Sequence, residues 1–163
     1  MATGHHEFQL HSFSKPSIEQ YRRLICDPIV TSHMPLAENQ YSDDWIQRWI
    51  SAKESTWEEE GIGPWSIWLN GEFVGWAGLE PEGNHLGIGI VIHQEYWGHG
   101  KSIIRLMLNK WGPKIQGRKV IVDFPESRRS ELWASRFGLA KIGQFDLSGF
   151  TFHRYELPRK LID

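Results

Sequence analysis

Residues 86–111 constrain the fold most, because their hydrophobic period changes from that of a strand to that of a helix across a glycine-containing turn. Residues 86–92 form an apolar run with glycine and β-branched residues, which predicts a buried strand. Apolar residues then recur at helical spacing, at Ile103, Ile104, Met107, Leu108 and Trp111. Between the two lies the turn Trp-Gly-His-Gly-Lys-Ser at 97–102. A strand–turn–helix unit predicts an anion site, because the helix start carries unpaired N–H groups and the positive end of the helix dipole.

The end of this turn also matches a nucleotide-binding motif. Gly100-Lys101-Ser102 fits the last part of the P-loop pattern G-x-x-x-x-G-K-[ST]. That pattern requires glycine at position 95, where this chain has Glu95. A carboxylate there would repel the phosphates that the loop has to wrap, so a P-loop is disfavoured.

The turn resembles the acyl-CoA-binding segment of the GNAT superfamily of N-acetyltransferases. The family signature [QR]-x-x-G-x-[GA] falls on residues 97–102, with Trp97 in place of Gln or Arg and Ser102 in place of Gly or Ala. The Trp-Gly-x-Gly variant of this signature resembles the one typical of the branch of ribosomal-protein alanine acetyltransferases (RimJ/RimL-like). A second family segment, N-x-x-[SA] followed by a helix and G-F, resembles residues 127–130 and Gly138-Leu139, where Ser127 replaces Asn and Leu139 replaces Phe.

Composition limits the class of protein. At 163 residues we expect a single domain, 1–163, with a sizeable core. The net charge of −2 disfavours nucleic acid as a partner. The single cysteine, Cys26, fits a reducing compartment. No apolar run approaches membrane-spanning length and the N-terminus lacks a signal pattern, so we expect a cytoplasmic protein with no membrane partner.

The predicted element order is β-α-α-β-β-β-α-β-α-β-β. Ser14 or Ser17 can cap the first helix and Ser42 a later one, and Asn70-Gly71 between apolar runs predicts a hairpin. Residues 29–41 are predicted to be mostly loop, the last hairpin is predicted at 144–157, and the tail is predicted to be loose. Helices interrupting mainly antiparallel strands indicate an α+β fold with a central twisted mixed sheet, and this order is similar to the GNAT fold.

The resemblance implies an enzyme, an N-acetyltransferase that takes its acyl group from acetyl-CoA. The acceptor would be a primary amine, either a protein N-terminus or a small molecule, which attacks the thioester directly in a ternary complex. A homodimer would be usual for the family, and the sequence holds no pattern for a metal site. The residues implied in cofactor binding are Val91, Ile92, His93, Trp97, Gly98, His99, Gly100, Lys101, Ser102, Ser127 and Ser130.

The base that accepts the amine proton is not decided by the sequence. The resembling branch often has Glu at the place of Gly87, so His85, Glu80 and Asp123 are the candidates, with Glu82 a further rival. The tyrosine that many members use as general acid is replaced by Ala134, which leaves Ser127, Ser130 or water. These departures keep a non-catalytic acyl-CoA-binding domain as the alternative.

Two charged segments have more than one interpretation. Residues 58–60 are three consecutive glutamates, which form a solvated helix end or attract an amine or a basic peptide to the acceptor cleft. Arg128 and Arg129 are expected to be solvated residues at a helix start, the alternative being substrate ligands.

Overall fold

The computed structural model describes residues 7–34, 41–115, 117–128 and 130–162. The strands are β1 (Gln9–His11), β2 (Pro64–Leu69), β3 (Glu72–Glu82), β4 (His85–Ile92), β5 (Lys119–Pro125), β6 (Ala140–Leu147) and β7 (Phe150–Glu156). The helices are α1 (Ile18–Ile25), α2 (Pro28–Thr31), α3 (Asp43–Glu60), α4 (Gly100–Ile115), α5 (Ser130–Phe137) and α6 (Arg159–Ile162), and a 3₁₀ segment, Gln94–His99, precedes α4.

The strands form one twisted seven-stranded sheet in the order β1-β2-β3-β4-β5-β7-β6. Adjacent strands pair antiparallel, except for β4 and β5, which pair parallel. The predicted α+β class with a central mixed, mainly antiparallel sheet is therefore confirmed. Parallel neighbours need a crossover, and α4 provides it.

The predicted order is observed with two additional short helices. The first, α2, lies in the segment predicted as loop, where the Asp27 side chain accepts a hydrogen bond from the Ile29 N–H at its start. The second, α6, lies in the tail that was predicted to be loose. Residues 35–40 of the predicted loop lie outside the described residues.

The caps predicted from sequence form as expected. Ser17 and Gln20 make a reciprocal capping box at α1, and the Ser42 side chain accepts from the Trp45 N–H at α3. At the hairpin, Asn70 and Gly71 take positive φ values of 52° and 78°, as a tight two-residue turn requires.

The sheet separates two apolar cores. On one face α1, α2 and α3 pack through residues such as Phe13, Tyr21 and Ile46. On the other face α4 and α5 pack through residues such as Ile103, Met107 and Trp111. No helix in the described part of the chain is both long and apolar enough to cross a bilayer.

Candidate active site

A gap in the middle of the sheet is the main feature of the site. β4 and β5 pair only at His85–Lys119, Leu86–Val120 and Gly87–Ile121. Beyond Gly87 the two strands diverge, although β4 continues to Ile92 and β5 to Pro125. The divergence leaves the part of β4 after Gly87 without a paired strand on its β5 side.

The hydrogen-bonding phase of β4 identifies the backbone groups that face this gap. His93 donates its N–H to the carbonyl of Val74 on β3 at 2.9 Å, and β3 and β4 pair in one unbroken register. In an antiparallel ladder the bonded pairs alternate, so Val91 also turns its backbone toward β3. The N–H and C=O groups of Ile88, Ile90 and Ile92 therefore point into the gap. Buried backbone groups require partners, so this edge is suited to an extended polar ligand.

The predicted cofactor residues Val91, Ile92 and His93 thus differ in what they offer. The Ile92 backbone faces the gap, while the His93 N–H is already bonded to β3. The Val91 side chain lines a cavity on the α3 side of the gap.

The glycine-containing turn predicted at 97–102 is helical. A 3₁₀ turn at Gln94–His99 continues directly into α4, and Gly100 has helical dihedrals of −55° and −38°. Positive φ is found at seven glycines of the described chain, Gly98 and Gly100 not among them, so this turn does not depend on left-handed backbone. A Cβ at Gly98 would meet no heavy atom within 4 Å, so Gly98 exposes its backbone to a ligand.

The side chains of this turn face different surroundings. The Trp97 indole N–H donates to the Ile92 carbonyl at 3.0 Å and so ties the turn to the strand end. His99 packs against Phe8, with ring centroids 5.3 Å apart. Lys101 and Ser102 are exposed at the first turn of α4.

A cationic cleft lies beside the start of α4. It has a volume of about 400 Å³ and its lining includes Lys101, Arg105, Arg136 and Lys160. Four basic side chains at one cleft favour phosphate groups. Lys101 was predicted from the turn motif, whereas Arg136 and Lys160 come from α5 and α6 and carry no sequence signal of their own.

A larger cavity of about 420 Å³ lies on the α3 side of the gap. Its lining includes strand residues from both sides of the gap and six aromatic side chains, which are Tyr41, Trp45, Trp49, Trp76, Phe124 and Phe152. A smaller cavity shares His33, Val91 and Arg128 with it and extends to Trp97 and Gly100. The two cavities therefore adjoin each other and together extend from the α3 side of the gap to the start of α4.

The expectation that Arg128 is a solvated residue is wrong. It is half-buried and lines the larger cavity, the smaller one and a third small apolar cavity behind the gap. Burial lowers the pKa of the Arg128 guanidinium. Arg129 lies outside the described residues. His33 also lines the two connected cavities, and its ring Nδ1 lies 3.4 Å from the Ser127 Oγ.

Asp123 lines the larger cavity but is engaged by an arginine. Arg154 on β7 donates to both its carboxylate oxygens, at 2.8 and 3.0 Å. This two-pronged contact with Asp123 raises the pKa of Arg154. A second carboxylate, Glu82, approaches Arg154 at 3.8 Å.

Glu82 lies where a side chain on position 87 would stand. A Cβ on Gly87 would be 3.0 Å from the Glu82 carboxyl carbon and from one of its oxygens. The place of the expected β4 glutamate is therefore occupied by a carboxylate from β3. The sequence named Glu82 only as a rival, because the register that brings it over Gly87 is not a local signal.

The other two predicted bases lie on the β3–β4 ladder, Glu80 opposite Gly87 and His85 opposite Glu82. Lys53 on α3 binds the Glu80 carboxylate at 2.5 Å. His85 lies at the paired start of β4, four residues or roughly 13 Å from Gly89, which lines the cavity. Its buried Nδ1 has no hydrogen-bond partner among the described residues. The registers place Glu80 opposite Gly87, His85 two residues before Gly87, and Asp123 two residues after its β5 partner Ile121.

The predicted residues around α5 are separated as well. Ser127 is exposed, whereas Ser130 is buried and its hydroxyl lies 2.9 Å from that of Tyr155. Ala134 packs against the core on the α4 side of the sheet. Over the described ranges, no three His, Cys, Asp or Glu side chains converge in a way that could hold a metal ion.

Comparison with known proteins agrees with this geometry. Residues 9–117 match the sequence model of the acetyltransferase (GNAT) domain. A comparison with curated protein sequences found no significant match.

Solved structures share the whole fold at low sequence identity. Spermidine N-acetyltransferase from Vibrio cholerae, in complex with CoA and spermine, superposes with a TM-score of 0.75 at 14% identity, over 96% of this chain and 98% of that one. The RimL ribosomal L7/L12 alpha-N-protein acetyltransferase in complex with coenzyme A gives 0.73 at 12% identity, over 91% and 92%. An acetyltransferase (GNAT family) from Bacillus anthracis gives 0.68 at 15% identity, over 95% and 97%.

Proposed function

Because the chain belongs to the GNAT acetyltransferase family and uses acetyl-CoA as its donor, we propose that it transfers the acetyl group to a primary amine while both substrates are bound. The observation that carries this proposal is the gap between β4 and β5. It joins a polar strand edge, a basic cleft and an aromatic cavity.

The donor side fits the chemistry of acetyl-CoA, which supplies an activated acetyl thioester. The backbone groups of Ile90 and the N–H of Ile92 would bind the amide-containing arm as a further strand, in place of the missing β5 partner. The exposed Gly98 backbone and the cations Lys101 and Arg105 would hold the phosphates. A gap-facing N–H such as that of Ile92 would donate to the carbonyl oxygen on which negative charge develops.

The amine would enter from the α3 side and must lose its proton before it reacts. Asp123, Glu80 and His85 remain candidates for the base, and we place Glu82 first. Its carboxylate lies over Gly87, two residues before Gly89 of the cavity wall. Within the described ranges its ion pair is the long 3.8 Å contact with Arg154. Asp123 would then serve to hold Arg154 in place.

Two acceptor classes fit the proposal, a protein N-terminus and a small-molecule amine. The Trp-Gly-x-Gly turn and the similarity to RimL support the RimJ/RimL-like branch and hence an N-terminal amine. The open cavity on the α3 side is also large enough for a whole small amine.

The test is release of CoA thiol from acetyl-CoA in the presence of a panel of amines, alongside thermal stabilisation by acetyl-CoA alone. The proposal predicts stabilisation and amine-dependent thiol release. Stabilisation with no release from any amine would instead support the non-catalytic acyl-CoA-binding alternative. Stabilisation by ATP and magnesium without any by acetyl-CoA would contradict both.

A further inference from the structure

Aromatic rings line the larger cavity on the α3 side of the gap, where the proposed function places the acceptor. Trp45 stacks between Tyr41, at a ring-centroid distance of 4.1 Å, and Trp49, at 5.8 Å. Trp76 meets Trp49 edge-on at 6.0 Å, and Phe152 joins the lining from the far strand, β7. At about 420 Å³ the cavity has room for a ring system rather than for an alkyl chain alone.

Edge-on contacts with core rings hold Trp49 in place. Trp49 also contacts Phe13 and Tyr21 of the α1-side core, at 5.0 and 5.2 Å. The Trp76 ring lies over Gly89, where a Cβ would come within 3.0 Å of it, so a glycine at this position leaves room for the indole. An aromatic wall that is fixed before binding favours flat ligands, because little side-chain freedom remains to be lost.

The charges at the cavity do not suit a polycation. Asp123 is the carboxylate among the described lining residues, and Arg154 occupies both its oxygens. Arg128 adds a positive charge to the same wall. Several carboxylates spaced along its length would favour a polyamine, and the described lining residues do not provide them.

The acidic run at the end of α3 does not compensate. Trp45 lies near the start of α3, whereas Glu58 lies thirteen residues later, about 20 Å along the helix axis. The three glutamates are exposed, and the next carbonyl, that of Gly61, is approached by Lys114 of α4 at 3.4 Å. The suggestion from sequence that they draw an amine into the cleft is therefore not supported by their position.

Building on the proposed function, we propose that the acceptor is a monoamine whose primary amino group is attached through a short linker to an aromatic ring. The ring would lie between Trp45, Trp76 and Phe152, with the amino group directed to the gap between β4 and β5. An arylalkylamine and a peptide with an aromatic first residue carry the same ring and the same spacing to the amine.

The first experiment compares acceptors by thiol release. The panel is 2-phenylethylamine, tryptamine, hexylamine, spermidine, and two tripeptides that begin with Phe or with Ser. We expect a kcat/KM roughly tenfold higher for the aromatic member of each matched pair, phenylethylamine over hexylamine and the Phe peptide over the Ser peptide. The free amines and the peptides distinguish the two sources. Equal values within both pairs, or a preference for spermidine, would overturn the inference.

The second experiment measures binding without turnover. Phenylethylamine and hexylamine are titrated calorimetrically into the protein saturated with CoA. Trp45→Leu should weaken phenylethylamine binding roughly tenfold and leave hexylamine unchanged, while Trp45→Phe should restore most of the affinity. Trp57→Leu, on the same helix but packed on Trp65 and Trp111, is the matched control and should not affect either ligand.

The two experiments separate this inference from the proposed function. Turnover that is best with spermidine or hexylamine would leave acetyl transfer standing and overturn the aromatic acceptor. No thiol release with any amine would contradict acetyl transfer. The titration decides the inference in that case too, because equal binding of phenylethylamine and hexylamine overturns it without any turnover.

Discussion

The indole N–H of Trp97 donates a hydrogen bond to the backbone carbonyl of Ile92, with the two atoms 3.0 Å apart. This bond joins the turn before α4 to the last residue of β4. It therefore fixes the position of the turn. It also gives the gap-facing Ile92 carbonyl a hydrogen-bond donor from within the protein.

Trp97→Phe removes this donor and keeps an aromatic ring. We expect acetyl-CoA to bind several-fold more weakly, because the strand end and the turn lose their fixed spacing, and the free energy of unfolding to fall by about 1 kcal/mol. Calorimetric titration and urea unfolding measure the two effects. Trp57→Phe is the matched control, since its indole N–H donates to the Pro64 carbonyl at 2.6 Å, away from the gap. An equal loss of affinity in both variants would contradict a local role for Trp97.

Gly98→Ala tests whether the ligand approaches the turn closely. A Cβ at this position meets no protein atom within 4 Å, and its backbone is not left-handed, so the melting temperature should stay the same or rise slightly. Acetyl-CoA affinity should nevertheless fall by about tenfold if phosphate groups lie against this backbone. Unchanged affinity in a stable variant would place the phosphates elsewhere.

Glu82→Gln tests the proposed base. We expect kcat to fall about a hundredfold with little change in the thermal shift given by acetyl-CoA, because the carboxylate acts on the amine and not on the donor. Glu72→Gln, an exposed glutamate at the other end of β3, is the control. Three substitutions of the rival candidates are made in parallel: Asp123→Asn, Glu80→Gln and His85→Asn. If Glu82→Gln behaves like the control and one of these three variants loses activity instead, the base is the residue substituted in that variant and not Glu82.

The free energy of unfolding should depend on Tyr21 at alkaline pH. Burial raises the pKa of its phenol, which donates to the Phe13 carbonyl at 2.5 Å. Because the folded pKa lies above the unfolded value, the neutral phenol stabilises the fold fully below about pH 10, and this stability is lost as the pH rises further. Urea unfolding from pH 8 to 11 should show the free energy of unfolding falling more steeply, by up to about 1.4 kcal/mol per pH unit, in the wild type than in Tyr21→Phe. Parallel curves would contradict this assignment.

Features with a local signal were predictable from the sequence. The caps at Ser17 and Ser42 and the Asn70-Gly71 turn depend on a few neighbouring residues, and all three formed as expected. The change of period across residues 86–111 indicated the strand and the helix. The predicted turn between them forms a 3₁₀ segment that continues into α4, and neither Gly98 nor Gly100 has a positive φ.

Features set by strand register and by distant packing were not predictable. Glu82 reaches the space above Gly87 through the β3–β4 pairing, and Arg128 lines the cavity because β4 and β5 diverge. β6 was predicted at half its length, since its side chains are mostly exposed and lack an alternating apolar pattern. The basic cleft combines side chains of α4, α5 and α6, which no sequence spacing connects.

The most direct test of the account is amide hydrogen exchange along β4, measured residue by residue with and without saturating acetyl-CoA. The account predicts that the Ile90 and Ile92 amides exchange fast in the free protein and become protected when acetyl-CoA binds. The Val91 and His93 amides, already bonded to β3, should change little. Protection that appears elsewhere while Ile90 and Ile92 still exchange fast would contradict a donor bound in the gap between β4 and β5.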